Sequence, residues 1–262
     1  ENYVLKKKSL LLDIGNTFIK WGLLKDHEIA LNGVIKNTQP LSNEFSRLAE
    51  DISNGIDLIL IASVKSADWN ARCAQIIGKS FLCEIDFVGS QSNAFGVQNS
   101  YPDPCQLGVD RWVAMIAAYH KLSCDLMVVD LGTAITIDAI NKDGQHLGGQ
   151  IIPGMQLMLQ SLDKQTDRLE LPKLTLDSIN ISSTLWASTT DLALVYGAFN
   201  AICGAIERMV SDLKKNNYQP NIVLTGGDAK LLLAVLDENY HYRPDLVLEG
   251  LAIIAIDKEK NL

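Results

Sequence analysis

Two short segments carry side chains suited to phosphate and cation chemistry. Asp13-Ile14-Gly15-Asn16-Thr17 and Asp130-Leu131-Gly132-Thr133-Ala134 each close an apolar run, so each sets a carboxylate at the end of a buried strand beside a tight turn. Asp13 with Asn16 and Thr17 offers hard oxygen donors of the kind that hold magnesium through water, with turn amides for phosphate oxygens. Lys20 is a point charge within reach of such a phosphate. The plainer reading is two turn-forming carboxylates and a solvated strand lysine, and the residue types alone leave the two readings level.

Gly108-Val109-Asp110-Arg111 pairs a carboxylate with a planar cation. An acid near a substrate hydroxyl and an arginine on the substrate's own anion suit phosphoryl transfer to an alcohol. Spacing alone favours the plainer reading, an acid at a helix start stabilised by the helix dipole, with a solvent-facing arginine next to it. Thr225-Gly226-Gly227-Asp228 reads as a glycine turn between strand and helix, which lets backbone approach a ligand. The four histidines show no metal-ligand spacing, and His120 is expected in the core. No P-loop, dinucleotide fingerprint or Gly-x-Ser-x-Gly elbow is present.

The elements that position these residues follow from hydrophobic periodicity. Ser9 to Ile14 and Phe18 to Leu24 read as strands about the first turn, and Asp57 to Val64 and Leu82 to Val88 as further strands. Ala67 to Ile77 is helical, and residues 89–105, rich in Ser, Asn, Gln, Gly and Pro, read as a long loop. From Leu107 a helix begins, with Asp110 and Arg111 facing away from its apolar stripe. After the strand Met127 to Leu131 comes the second turn, then Gly148-Gly149 and Ile152-Pro153-Gly154 as a glycine-flanked turn leading to a helix. Thr189 to Val210 is a helix capped near 188–190, with Gly197 and Gly204 allowing close approach. Asn221 to Leu224, the glycine turn and Ala229 to Leu236 read as strand, turn, helix.

The two Asp-x-Gly segments lie 117 residues apart, and the offset runs without a gap to Lys25/Lys142 and Asp26/Asp143. A duplication is expected, with lobes at 1–122 and 123–262 in a chain of 262 residues. The hydrophobic share of 47% suits globular cores, and the net charge of −8 argues against nucleic acid or anionic membranes as partners. No apolar run reaches the roughly 20 residues that span a bilayer. Five cysteines without a Cys-x-x-Cys pair suggest neither disulfides nor zinc. With residues 1–8 read as a short extension, a cytoplasmic location is expected.

Asp13 to Lys20, Gly108 to Arg111, Asp130 to Ala134, Gly149-Gln150-Ile151-Ile152-Pro153-Gly154 and Gly226-Gly227-Asp228-Ala229 occur in the order found in type III pantothenate kinases. The resemblance spans nearly the whole chain. It implies an α/β fold of two duplicated ribonuclease H-like lobes, as in actin-like ATPases, with a nucleotide cleft between them. It implies ATP-dependent phosphorylation of pantothenate to 4'-phosphopantothenate, the first step of coenzyme A synthesis. ATP and Mg²⁺ would meet Asp13 (through water), Ile14, Gly15, Asn16, Thr17, Phe18, Ile19 and Lys20. Thr133, Gly226 and Gly227 would also contact ATP, and Asp130 would hold a monovalent cation, K⁺ or NH₄⁺. Pantothenate would meet Tyr101, Gly108, Val109, Asp110 as proton acceptor, Arg111 and Thr190, with Thr189 and Thr184 as competitors for the last place. A cytoplasmic homodimer is implied, with the Thr189 to Val210 helix a candidate contact. The rivals are a kinase for another small hydroxy compound and a nucleotide-binding regulator without turnover.

Overall fold

A computed structural model describes residues 7–37, 40–52, 55–165, 186–233 and 240–260. The chain divides into two units, one made of residues up to Lys121 together with those from Asp245 onward, the other of Leu122–Pro244.

In the first unit, β1 (Ser9–Ile14), β2 (Phe18–Lys25) and β3 (Glu28–Lys36) form an antiparallel meander. The two-residue turn Asp26-His27 between β2 and β3 has both φ angles positive (53° and 67°), the geometry that matches the twist of hairpin strands. After α1 (Leu41–Asp51) comes β4 (Leu58–Ser63), then α2 (Ala67–Ser80) and β5 (Glu84–Phe87). The sheet order is β3-β2-β1-β4-β5, with β4 and β5 parallel to β1. Strand side chains alternate between faces. Leu10, Leu12 and Ile14 therefore join Phe45 and Leu48 of α1 and Cys73 and Ile77 of α2 in one core, while Leu11 and Asp13 look to the other face.

Residues 89–107 are more ordered than a plain loop. They contain the hairpin β6 (Asn93–Ala94) and β7 (Val97–Gln98), closed by Phe95 and Gly96 at positive φ, and a 3₁₀ turn, Pro104–Gln106, capped by Asp103. Such short strands leave no periodic signal. The helix α3 (Val109–Leu122) follows. Its residues Val109 and Arg111 to Ala118 are all buried, so Arg111 lies inward and not on the solvent face expected of it. His120, expected in the core, is exposed because the burial ends a turn earlier.

The second unit repeats this topology. It holds β8 (Leu126–Leu131), β9 (Ala134–Ile140), β10 (His146–Pro153), α4 (Met155–Gln165), α5 (Thr190–Lys215), β11 (Asn221–Thr225), α6 (Ala229–Leu233) and β12 (Tyr240–Tyr242). The sheet order β10-β9-β8-β11-β12 and the parallel and antiparallel senses match the first sheet strand for strand. The ungapped offset of 117 fails at the turn. Ile14 pairs with Ile19, but Leu131 pairs with Ile135, so the second turn is one residue shorter. Gly148, Gly149, Ile152 and Pro153, expected in a turn, lie in β10, where edge position and a strand end tolerate proline. Buried His146 pairs instead with Asp138 across this hairpin, Nε2 to Oδ1 3.0 Å.

The helix α5 has the length and mean hydropathy (1.2) of a membrane-crossing helix. One such helix is weak grounds for a membrane span, and Val195, Tyr196, Phe199, Ile202 and Ile206 pack it into the core of the second unit. Among the described residues no atom other than the helix's own backbone lies within 4 Å of where a Cβ on Gly197 or Gly204 would stand.

The last helix, α7 (Leu246–Lys260), belongs to the first unit and not to a lobe running from 123 to 262. Its buried Leu246, Val247, Leu248, Gly250, Leu251, Ile254 and Ala255 lie in a stretch, residues 246–256, that is apolar but for Glu249, as a covered position requires, and the charged residues gather in the last turn. It meets β1, β2 and β4, on the sheet face opposite α1 and α2.

Candidate active site

In the first unit the Asp13 turn is held by backbone and by a side chain outside the motif. Gly15 N donates to Phe18 O (3.0 Å), while Asn37, just beyond β3, donates from Nδ2 to Gly15 O (2.8 Å) and from N to Thr17 O (2.9 Å). Asn37 carried no signal in the sequence, because its role depends on β3 folding back. Ile14 and Ile19 are fully buried anchors, which leaves Asn16, Thr17 and Phe18 exposed at the crest. Asp13 and Lys20, both half-buried, are direct cross-strand partners in register. Opposite charges so placed attract.

The same unit brings Tyr101, Asp110 and Arg111 together. The guanidinium of Arg111, with only 6% of the residue exposed, donates from Nη1 to the Tyr101 hydroxyl (3.0 Å) and lies 5.8 Å from that ring. The Asp110 carboxylate accepts from Arg111 N (2.8 Å) at the first turn of α3. Gly108 makes room for it, since a Cβ there would stand 2.7 Å from Asp110 Oδ1. Val109 is buried and anchors the helix start. Tyr101 is positioned by Asn99, whose Oδ1 accepts from Tyr101 N (3.0 Å) and whose Nδ2 donates to Gln91 O and Pro104 O. Buried Ser90 Oγ donates to Leu107 O (2.8 Å), tying the segment to the start of α3.

In the second unit three separate glycine motifs interlock. Gly154 N donates to Thr133 O (3.0 Å), and a Cβ on Gly154 would stand 2.3 Å from Gly132 O and 2.5 Å from Thr133 O. On another side Gly226, at φ 93°, packs so closely that a Cβ would meet Leu131 O at 2.4 Å and Asp130 Oδ1 at 2.5 Å. Asp228 N donates to Leu131 O (3.1 Å). Gly227 is exposed with open space before it, so its backbone is approachable where Gly226 is not. Partial burial raises the Asp228 carboxyl above its ordinary pKa. Thr133 is exposed at the tip of the turn. Thr189 Oγ1 caps α5 by accepting from Leu192 N (3.3 Å), and Thr190 is the exposed first residue of the helix. Thr184 lies outside the described residues.

Two duplicated units of this topology, each ending its first strand in an Asp-x-Gly turn, define the actin-like, ribonuclease H-like fold class. Solved structures agree with the fold: an activator of 2-hydroxyisocaproyl-CoA dehydratase from Clostridium difficile (TM-score 0.55, 13% identity, 97% of this chain and 96% of that one). MreB5 of Spiroplasma citri gives a TM-score of 0.54 at 12% identity over 98% of each chain. A Campylobacter jejuni protein described as a Baf-family transcriptional activator gives 0.61 at 24% identity, over 97% of this chain and all of that one. The profile of the type III pantothenate kinase family matches residues 9–212. Curated type III pantothenate kinases are similar over nearly full length: Nitrosococcus oceani at 32% identity (96% of this chain, 95% of the relative) and Nitrosospira multiformis at 34% (94% and 90%). The chain belongs to the type III pantothenate kinase family.

Proposed function

We propose that this chain transfers the terminal phosphoryl group of ATP to the primary hydroxyl of pantothenate. The observation that carries this reading is the buried Arg111 bound to Tyr101 beside the Asp110 carboxylate. A planar guanidinium is matched to a carboxylate, and pantothenate carries one at the end remote from the hydroxyl to be phosphorylated. Binding that carboxylate at Arg111 and Tyr101, beside Gly108 and Val109, orients the acceptor, and Thr190 of the second unit is assigned a further substrate hydroxyl contact in this reading. Asp110 takes the hydroxyl proton late in transfer, since a carboxylate is too weak a base to remove it from a free alcohol. Positioning and charge neutralisation supply most of the rate enhancement.

The Asp13 to Lys20 segment, Thr133 and the exposed Gly227 backbone contribute the ATP contacts in this reading, with Gly226 acting as their support. The donor set at Asp13, a carboxylate with amide and hydroxyl oxygens close by, fits a hydrated Mg²⁺. Mg²⁺ would neutralise phosphate charge there. At Asp130 the carboxylate stands against Gly226 and the Leu131 carbonyl. Carboxylate and carbonyl oxygens are hard donors that would suit a weakly held K⁺ or NH₄⁺. The net charge of −8 disfavours nucleic acid and anionic membranes as partners, and a cytoplasmic homodimer completes the proposal.

ADP release measured with pantothenate, with other small alcohols, and in K⁺ or Na⁺ tests it. Release that depends on pantothenate and rises with K⁺ is expected. Release with another alcohol alone makes the chain a different kinase, and none at all from folded protein makes it a regulator.

A further inference from the structure

Lys65 lies outside every motif above, in the loop after β4. The end of β4 stands beside the end of β1, where Ser63 is the register partner of Ile14 and Val64 N donates to Ile14 O (3.2 Å). From there the Lys65 ammonium donates to Asn16 twice, to its backbone O (3.3 Å) and to its Oδ1 (3.1 Å). Its position is built. Ser63 Oγ accepts from Lys65 N (3.2 Å) and donates to Asn70 Oδ1 (2.6 Å), and Asn70 Nδ2 donates back to Lys65 O (3.4 Å). The ammonium also stands 5.7 Å from the centre of the Trp69 ring.

Among the described residues these partners are all neutral, two amide oxygens and an aromatic face. The half-buried cation thus sits on the exposed crest of the Gly15–Thr17 turn with its charge uncompensated by a carboxylate. A lysine needed only to brace the turn would do so through its N–H donors, whereas uncompensated charge at an anion-binding turn adds attraction for the anion itself. We infer that Lys65 is a second cation of the nucleotide site, bracing Asn16 and lending positive charge to the ATP phosphates. This rests on the reading that the Asp13 to Lys20 segment holds those phosphates.

Steady-state kinetics of Lys65→Met, Lys65→Gln and Lys65→Arg, with Asp13→Asn as control, test the inference. Lys65→Met raises the KM for ATP about tenfold, the scale of one hydrogen bond to a charged group, and leaves the KM for pantothenate within about twofold. Lys65→Arg restores most of the loss, Lys65→Gln does not, and the salt dependence of the KM for ATP weakens in both neutral variants. An unchanged KM for ATP in folded Lys65→Met, or full rescue by the uncharged glutamine, overturns the role of charge at Lys65 while Asp13→Asn still loses ATP use. If Asp13→Asn keeps normal ATP use, the phosphate reading of the segment falls first and Lys65 falls with it. ADP titration by intrinsic fluorescence gives the same comparison for any variant too slow to assay.

Discussion

Neighbouring residues in the same turn of α3 have different environments, and in the proposed function that division separates binding from chemistry. Arg111 is buried and bonded to Tyr101, whereas Asp110 is only half-buried at the helix start. Asp110→Asn keeps the shape and the acceptor oxygen but loses the basic group. It is expected to lower kcat by about two orders of magnitude or more, with ATP binding nearly intact. Turnover close to the wild-type rate would remove Asp110 from the proton transfer. For Arg111→Lys a higher KM for pantothenate is expected, because a point charge cannot reproduce the planar fork that matches a carboxylate. Measuring KM for both substrates in this variant separates the acceptor site from the nucleotide site. The motif residues were legible in the sequence, but the burial of Arg111 was not, since periodicity placed it on the polar side of a helix that is in fact covered nearly all round.

At the scale of elements, the second Asp-x-Gly turn is wedged by two strand ends remote in sequence. Gly154, at the close of β10, and Gly226, after β11, occupy space in which no side chain fits. Gly154→Ala must push the Gly132–Thr133 backbone aside, at a cost of roughly 1–3 kcal/mol for overpacking. The expected result is a lower melting temperature together with a raised KM for ATP and weaker K⁺ activation, the pantothenate KM changing least. A drop in melting temperature with normal ATP and K⁺ dependence would make Gly154 a packing residue only. The glycines were visible in the sequence as turn formers. Their meeting was not, because Gly148 to Pro153 continue as an edge strand and carry Gly154 to the Thr133 turn.

At the scale of the whole molecule, the second unit is inserted into the first, and the chain returns as α7 to the unit it left at the end of α3. This return reaches the site through α3. Gly250 of α7 packs so near Val113 that a Cβ would lie 2.2 Å from its carbonyl oxygen. Val113 stands one turn beyond Asp110, so displacing α3 displaces the acid. Gly250→Ala is therefore expected to lower both the melting temperature, by several degrees for a penalty of about 1–3 kcal/mol, and kcat. A stable Gly250→Ala protein with unchanged kcat would show that α3 absorbs the contact without moving its first turn.

The order of motifs and the strand, turn, strand pattern at each Asp-x-Gly were already decided by local chemistry: apolar runs that must be buried, ended by residues that must turn. Those signals are short-range, so they also carried the motifs behind the family resemblance, Asp13 to Lys20, Asp110-Arg111, Asp130 to Thr133 and Gly226-Gly227. Other features arise from contacts between segments far apart in the chain. Asn37 and Lys65 reach the first turn through strand order, Gly154 and Gly226 meet at the second through backbone approach, and α7 joins the first unit because its apolar surface finds cover there. No periodicity or spacing records such contacts, because burial and close approach are properties of the folded chain. The repeated turn was written in the residues; the neighbours that hold each copy were set by packing.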